Sequence, residues 1–154
     1  MAEKDWKTEL KNHFENMRIL EKSQAETILH FDQFCEFIVE PAFEALTEEI
    51  AAFGVKGRTQ KSKGRDIRLS FSFQGSKDEQ FHYRISIPKN SIELRLALMT
   101  RGRKNLKTDY KTTEETFMPQ LSPAEVLKLA KEDVILDVIK HYRDFGYEAL
   151  TSPD

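Results

Sequence analysis

Between Lys56 and Arg65 the chain reads KGRTQKSKGR, with five cations in ten residues and glycines at 57 and 64. Cationic side chains beside glycine backbone amides suit phosphate, by charge and by N–H donation. The segment is not a Walker-type nucleotide loop, because Lys61-Ser62 follows Gln60 where that motif needs glycine. The charge of the chain is distributed to match. Residues 1–54 hold 5 basic and 12 acidic groups (net −7), residues 55–111 hold 15 and 5 (net +10), and residues 112–154 hold 4 and 9 (net −5), so the total of −2 hides a basic middle. Such a middle is either complemented by the acidic flanks within the molecule or turned toward an anionic partner.

Other constellations are weaker. His13, His30, His82 and His141 show no HxH or HExxH spacing. Asp137 and His141 share a helix face and would make half a metal site, but no second half accompanies them, so the pair reads as a solvated i,i+4 contact. Cys35 sits among Phe31, Phe34 and Ile38 and is expected to be a small buried hydrophobe rather than a nucleophile. Glu48-Glu49 and Glu114-Glu115 are adjacent pairs whose members point in different directions. The expectation is a non-catalytic chain with no metal site and no cofactor.

Period and punctuation define the elements that must position the basic residues. Trp6, Leu10, Phe14 and Met17 recur at helical spacing, and Ser23 with Glu26 has capping-box spacing, predicting helices over about 5–20 and 23–53 with a kink or restart at Pro41. Residues 55–65 show no apolar period and read as a loop. Alternation then predicts strands over about 66–74, 80–88, 91–100 and 106–112, and Ser122-Pro123-Ala124-Glu125 opens a helix over about 123–145. The expected fold is α+β: N-terminal helices, a three- or four-stranded antiparallel meander and a long C-terminal helix, in two layers and one domain spanning 1–154.

A two-residue turn at Lys89-Asn90 would set Tyr83 against Leu96 and Arg84 against Arg95. Pairing Leu98 with Leu106 would then bring Asp109 to Arg95 and Lys111 to Glu93. That register neutralises the polar sheet face and moves the expected anion site to one end of the meander, at Lys56, Arg58, Lys61, Lys63, Arg65, Lys89 and Lys111. Arg101, Arg103, Lys104 and Lys107 fall at the other end, about 25 Å away along an eight-residue strand.

The composition, 39% hydrophobic and 32% charged, is that of a globular protein. No apolar run approaches the roughly 18 residues of a membrane span, and MAEKDWKTEL lacks a secretory h-region. With one cysteine there is no intramolecular disulfide, and the cytoplasm is the expected compartment. The expected function is binding of a nucleic-acid backbone or another polyanion through the basic loop 56–65. The alternative is a protein-interaction or homo-oligomeric adaptor, a homodimer among its forms, acting through an edge strand or a helix face.

Overall fold

Ile67, Leu69 and Phe71 alternate with Arg68, Ser70 and Ser72, and a period of two turns one set toward a core and the other outward. The computed structural model describes residues 5–73 and 75–151. In it this segment is β2 (Asp66–Phe73) of a five-stranded antiparallel sheet with β1 (Val55–Ser62), β3 (Phe81–Ser86), β4 (Ala97–Gly102) and β5 (Lys111–Thr116), in sequential order. Gln74, which the expected strand included, and the chain ends at 1–4 and 152–154 lie outside the described residues.

The α+β class and the meander stand, but five strands replace the expected three or four. The extra one is β1, which occupies most of the expected basic loop. Its inward positions are Val55, Gly57, Thr59 and Lys61, paired with Phe73, Phe71, Leu69 and Ile67. Only the first of the four is a buried apolar residue, so the strand carries no alternation to read.

The register also differs. β3 pairs with β4 so that Tyr83 faces Thr100, Arg84 faces Met99 and Ile85 faces Leu98, while β5 sets Leu98 against Glu115. Lys89-Asn90 therefore belongs to a ten-residue connection, 87–96, rather than a two-residue turn. Leu94 and Leu96 are buried there without belonging to a strand, and they continue the alternation that made 91–100 resemble one. The last strand begins at Lys111, not near residue 106, and the expected Arg95–Asp109 and Glu93–Lys111 pairings do not form across the sheet.

Helix α1 (Trp6–Phe34) runs through residues 20–22 without a break. Ser23 is internal to it, and its carbonyl accepts from Thr27 Oγ1 at 2.8 Å. A π-helical turn, Cys35–Val39, precedes α2 (Glu40–Ile50), placing Pro41 in the first turn of the new helix, where its missing N–H costs nothing. The capping box at Ser122 and Glu125 forms, but the helix it opens, α3 (Pro123–Val126), is only one turn long. Helix α4 (Lys131–Thr151) follows as a separate element.

The helices pack on one side of the sheet. Phe43 of α2 meets Tyr83 edge-on at 6.0 Å, Tyr142 of α4 meets Phe71 at 4.9 Å, and a Cβ on Gly57 would strike Thr47 of α2. Phe31 and Phe34 of α1, Val134 and Val138 of α4, and Ile67, Leu69, Tyr83 and Ile85 of the sheet belong to one core. Cys35 is buried in it; burial, then the nearby Asp32 carboxylate, pushes its thiol up to about 12, so the sulfur stays protonated. No helix among the described residues is long and apolar enough to cross a membrane.

Candidate anion-binding surface

The seven expected anion-binding residues do not gather at one end. Lys61, Lys63, Arg65 and Lys89 lie at the end formed by the β1–β2 turn and the 87–96 connection, which are joined by the Ile87 N–H to the Arg65 carbonyl. Lys56 and Lys111 begin their strands at the opposite end, and Arg58 lies within β1. Two features of the first end oppose an anion. Lys61 is paired with Glu40 at 3.0 Å, and its ammonium is held above its usual range by that bond. The Gly64 N–H, expected to be open to a phosphate, instead donates to Asp32 Oδ1 at 2.7 Å, while Gly57 is engaged inside β1.

The pleat sorts the remaining cations by face. Lys61 and Lys111 point toward the helices, and Lys111 pairs with Glu148 of α4 at 2.6 Å. On that side acidic helices do complement the basic sheet. The outward side chains of the five strands are different: Lys56, Arg58, Arg68, Arg84 and Arg101 stand against only two acids, Asp66 and Glu114. Arg58, Ser70, His82 and Arg101 make one row across four strands, and Gln60, Arg68 and Arg84 make the next.

Arg68 therefore lies directly opposite Arg84, a pairing that costs stability unless both are compensated. Arg84 is compensated by Asp66, through Nε at 3.2 Å and Nη2 at 2.8 Å. Arg68 has only the Gln60 carbonyl oxygen as a partner for Nη2, and its Nε is buried without one among the described residues. Lys56 and Arg58 make no ion pair among the described residues.

At the corner of this face, the β4–β5 connection carries Tyr110 between two guanidiniums, Arg101 at 3.9 Å and Arg103 at 4.3 Å from the ring centre. Arg103 is fixed by Asp78 at 2.5 Å, and the Tyr110 hydroxyl donates to the Glu79 carbonyl at 3.0 Å. His82, within 3.1 Å of Ser70 Oγ, is held below its usual pKa by burial, opposed by Glu79 and reinforced by Arg68 and Arg101. It is a neutral spacer between the cations at pH 7.

Two cavities on the helical side share Phe145 in their walls. One, of about 380 Å³, lies between β4, β5 and α4; the other, of about 440 Å³, is more apolar and lies under the C-terminal part of α4. Asp137 and His141 are not the solvated pair expected. The Tyr83 hydroxyl donates to Asp137 Oδ2, while His141 contacts the Asp137 carbonyl through Nδ1 and Glu115 Oε1 through Nε2, both at 2.8 Å. These contacts tie α4 to β3 and β5. Among the described residues, no group of three or more His, Cys, Asp or Glu side chains could hold a metal ion.

The sheet face escaped the sequence reading because a slipped register cancelled it. Arg68 and Arg84 were legible as outward residues but their neighbours were not, and Arg101 fell beyond the end of the expected strand although it lies inside β4. Comparison with protein-family models, with curated proteins and with solved structures finds no match to this chain.

Proposed function

We propose that this chain is a non-catalytic binding domain that holds a nucleic-acid backbone against the helix-free face of its sheet. The observation that carries the reading is the excess of five cations over two acids among the outward side chains of the strands, with Arg68 set against Arg84 and Arg68 Nε without a partner among the described residues. A like-charge pair is unfavourable in the isolated domain and becomes favourable when a phosphate bridges it. Four of the five cations are arginines, whose planar fork matches phosphate oxygens in pairs.

The row from Arg58 to Arg101 spans four strands, about 14 Å at the usual strand spacing. The acidic helices lie on the other side, so the molecule's own field orients a polyanion toward the sheet. Tyr110 already has a guanidinium near its ring on each of two contacts, so base stacking is not the main mode, and recognition is of the backbone rather than of sequence.

The test is fluorescence anisotropy of mixed-sequence single- and double-stranded oligonucleotides across a salt series. Binding is expected at low salt, falling steeply as salt rises, with Arg58→Glu plus Arg68→Glu weakening it at every sequence. Absence of binding at low salt overturns the reading. So does binding that is lost in Lys63→Glu plus Lys89→Glu but kept in the sheet variant, because the loop end would then be the site.

A further inference from the structure

Every residue from Asp5 to Lys22 is exposed, so the N-cap and the first 17 residues of α1 overhang the domain by about 25 Å. Six large apolar side chains are exposed on it: Trp6 at 64%, Ile19 at 62%, Phe14 at 57%, Leu10 at 50%, Leu20 at 42% and Met17 at 41%. At about 100° per residue, five of them fall within an arc of about 120°, which also holds His13, and Ile19 lies on the opposite face. Phe31, fully buried in the core, lies on the same arc. The other buried positions of α1, Thr27 and Phe34, lie about 20–40° beyond the edge of the arc, so the bare stripe is turned toward the side on which the domain packs.

We infer that this overhang pairs with the same segment of a second copy of the chain, antiparallel, with Phe14 near the two-fold axis. The shape decides the direction. In a parallel pair both globular bodies would have to occupy the space between the two helices, because each body sits on the stripe side of its own α1. In an antiparallel pair each body lies beyond the N-terminus of the other helix.

One charge pair favours this register. Around Phe14, Lys7 of one copy comes opposite Glu21 of the other at the edge of the stripe, and this happens twice. On the other edge Asp5 meets Ser23, and Glu9 lies near Asn16 and Leu20; beyond Lys7, further from the stripe, Arg18 of one copy comes level with Lys11 of the other, a like-charge contact that solvent there screens. Leu10 is brought beside Met17 of the second copy.

At roughly 150–250 Å² per large side chain, the stripe offers on the order of 500 Å² per copy. Two copies bury on the order of 1,000 Å², the lower limit for a specific interface. Segment 5–22 has four bases, Lys7, Lys11, Arg18 and Lys22, and four acids, Asp5, Glu9, Glu15 and Glu21. That balance suits self-pairing and not an anionic membrane, which favours a basic polar face. The sheet edges offer little competition, because β1 and β5 are rich in charged residues.

The experiment is light scattering and sedimentation of the full chain over a concentration series. The expected mass is twice the 18.0 kDa of the monomer. Leu10→Ser with Phe14→Ser, both exposed positions, is expected to weaken association at least about 100-fold while leaving the circular dichroism and unfolding midpoint of the domain in place. Lys7→Glu alone and Glu21→Lys alone should each weaken it roughly fivefold, and the two together should restore it. A monomer at every concentration overturns the inference, including one that binds anionic vesicles or captures a different protein through this helix. A dimer indifferent to the serine variants overturns it too, and single charge variants that the swap does not rescue overturn the antiparallel register.

Discussion

The hydroxyl of Tyr83 on β3 donates to Asp137 Oδ2 on α4 across 2.5 Å, joining the centre of the sheet to the helix that covers it. Tyr83 is fully buried, and burial together with the Asp137 charge raises its pKa well above the usual phenol, so it remains a donor throughout the working range. Asp137 is itself four-fifths buried and depends on that proton. Tyr83→Phe keeps the ring in the core and removes only the donor, leaving a carboxylate without its nearest partner. The expected cost is about 1–3 kcal/mol in urea denaturation. Tyr83→Phe in an Asp137→Ala background should cost much less, because the stranded charge is then absent.

The two histidines with shifted pKa values oppose each other near neutrality. Burial lowers the pKa of His141, but its bonds to the Asp137 carbonyl and to Glu115 outweigh that, and the net shift is upward. Its contribution to stability is fully present below the unfolded-state value near 6.5 and is lost as pH rises through the folded-state value. His82 is shifted downward, chiefly by burial, so its contribution is present above 6.5 and is lost as pH falls through its folded-state value. The native chain should therefore show a shallow stability profile across this range. His141→Gln should turn it into one that rises with pH, and His82→Gln into one that falls, as read from urea midpoints at a series of pH values.

Much of the fold was legible where burial writes a period into the sequence. The alternation of Ile67, Leu69 and Phe71 located β2, that of Phe81, Tyr83 and Ile85 located β3, and the Ser122–Glu125 box was real. What failed was what depends on partners distant in sequence. β1 faces the helices with Gly57, Thr59 and Lys61, whose fitness comes from Thr47 and Glu40, so nothing local marks it as a strand. Leu94 and Leu96 are buried in the common core although they belong to no strand, and their spacing imitated one. Once β4 slipped, the outward arginines acquired the wrong neighbours, and the cation-rich face looked neutral. The Asp137–His141 spacing was visible, but its partners Tyr83 and Glu115 come from the sheet.

Arg68 makes the conflict between stability and the proposed binding measurable. It opposes Arg84 across β2 and β3, and its Nε is buried without a partner. Arg68→Thr places a strong strand former at a central position and removes the like-charge contact. We expect the domain to gain about 0.5–1 kcal/mol, read as a higher urea midpoint. Oligonucleotide affinity should fall at the same time, with a shallower salt dependence by about one phosphate contact. Lower stability would show that Gln60 and the surrounding side chains already satisfy Arg68.

Thr47 on α2 and Gly57 on β1 meet where the helix crosses the edge strand. A Cβ built on Gly57 would lie 2.5 Å from Thr47 Oγ1 and 3.0 Å from its methyl group, so the strand can approach the helix this closely only as glycine. The contact has a flaw: Thr47 Oγ1 is buried without a hydrogen-bond partner among the described residues. Valine keeps the branched shape and the helix propensity of threonine while removing the unsatisfied hydroxyl, so Thr47→Val should stabilise the domain by about 1 kcal/mol. Gly57→Ala should cost about 1–3 kcal/mol, because the new methyl meets the Thr47 side chain at three atoms and α2 must shift to admit it. In a Thr47→Ala background the same change should cost less than half as much. Equal cost in both backgrounds would mean that the penalty comes from the β1 ladder itself and not from the helix packed on it.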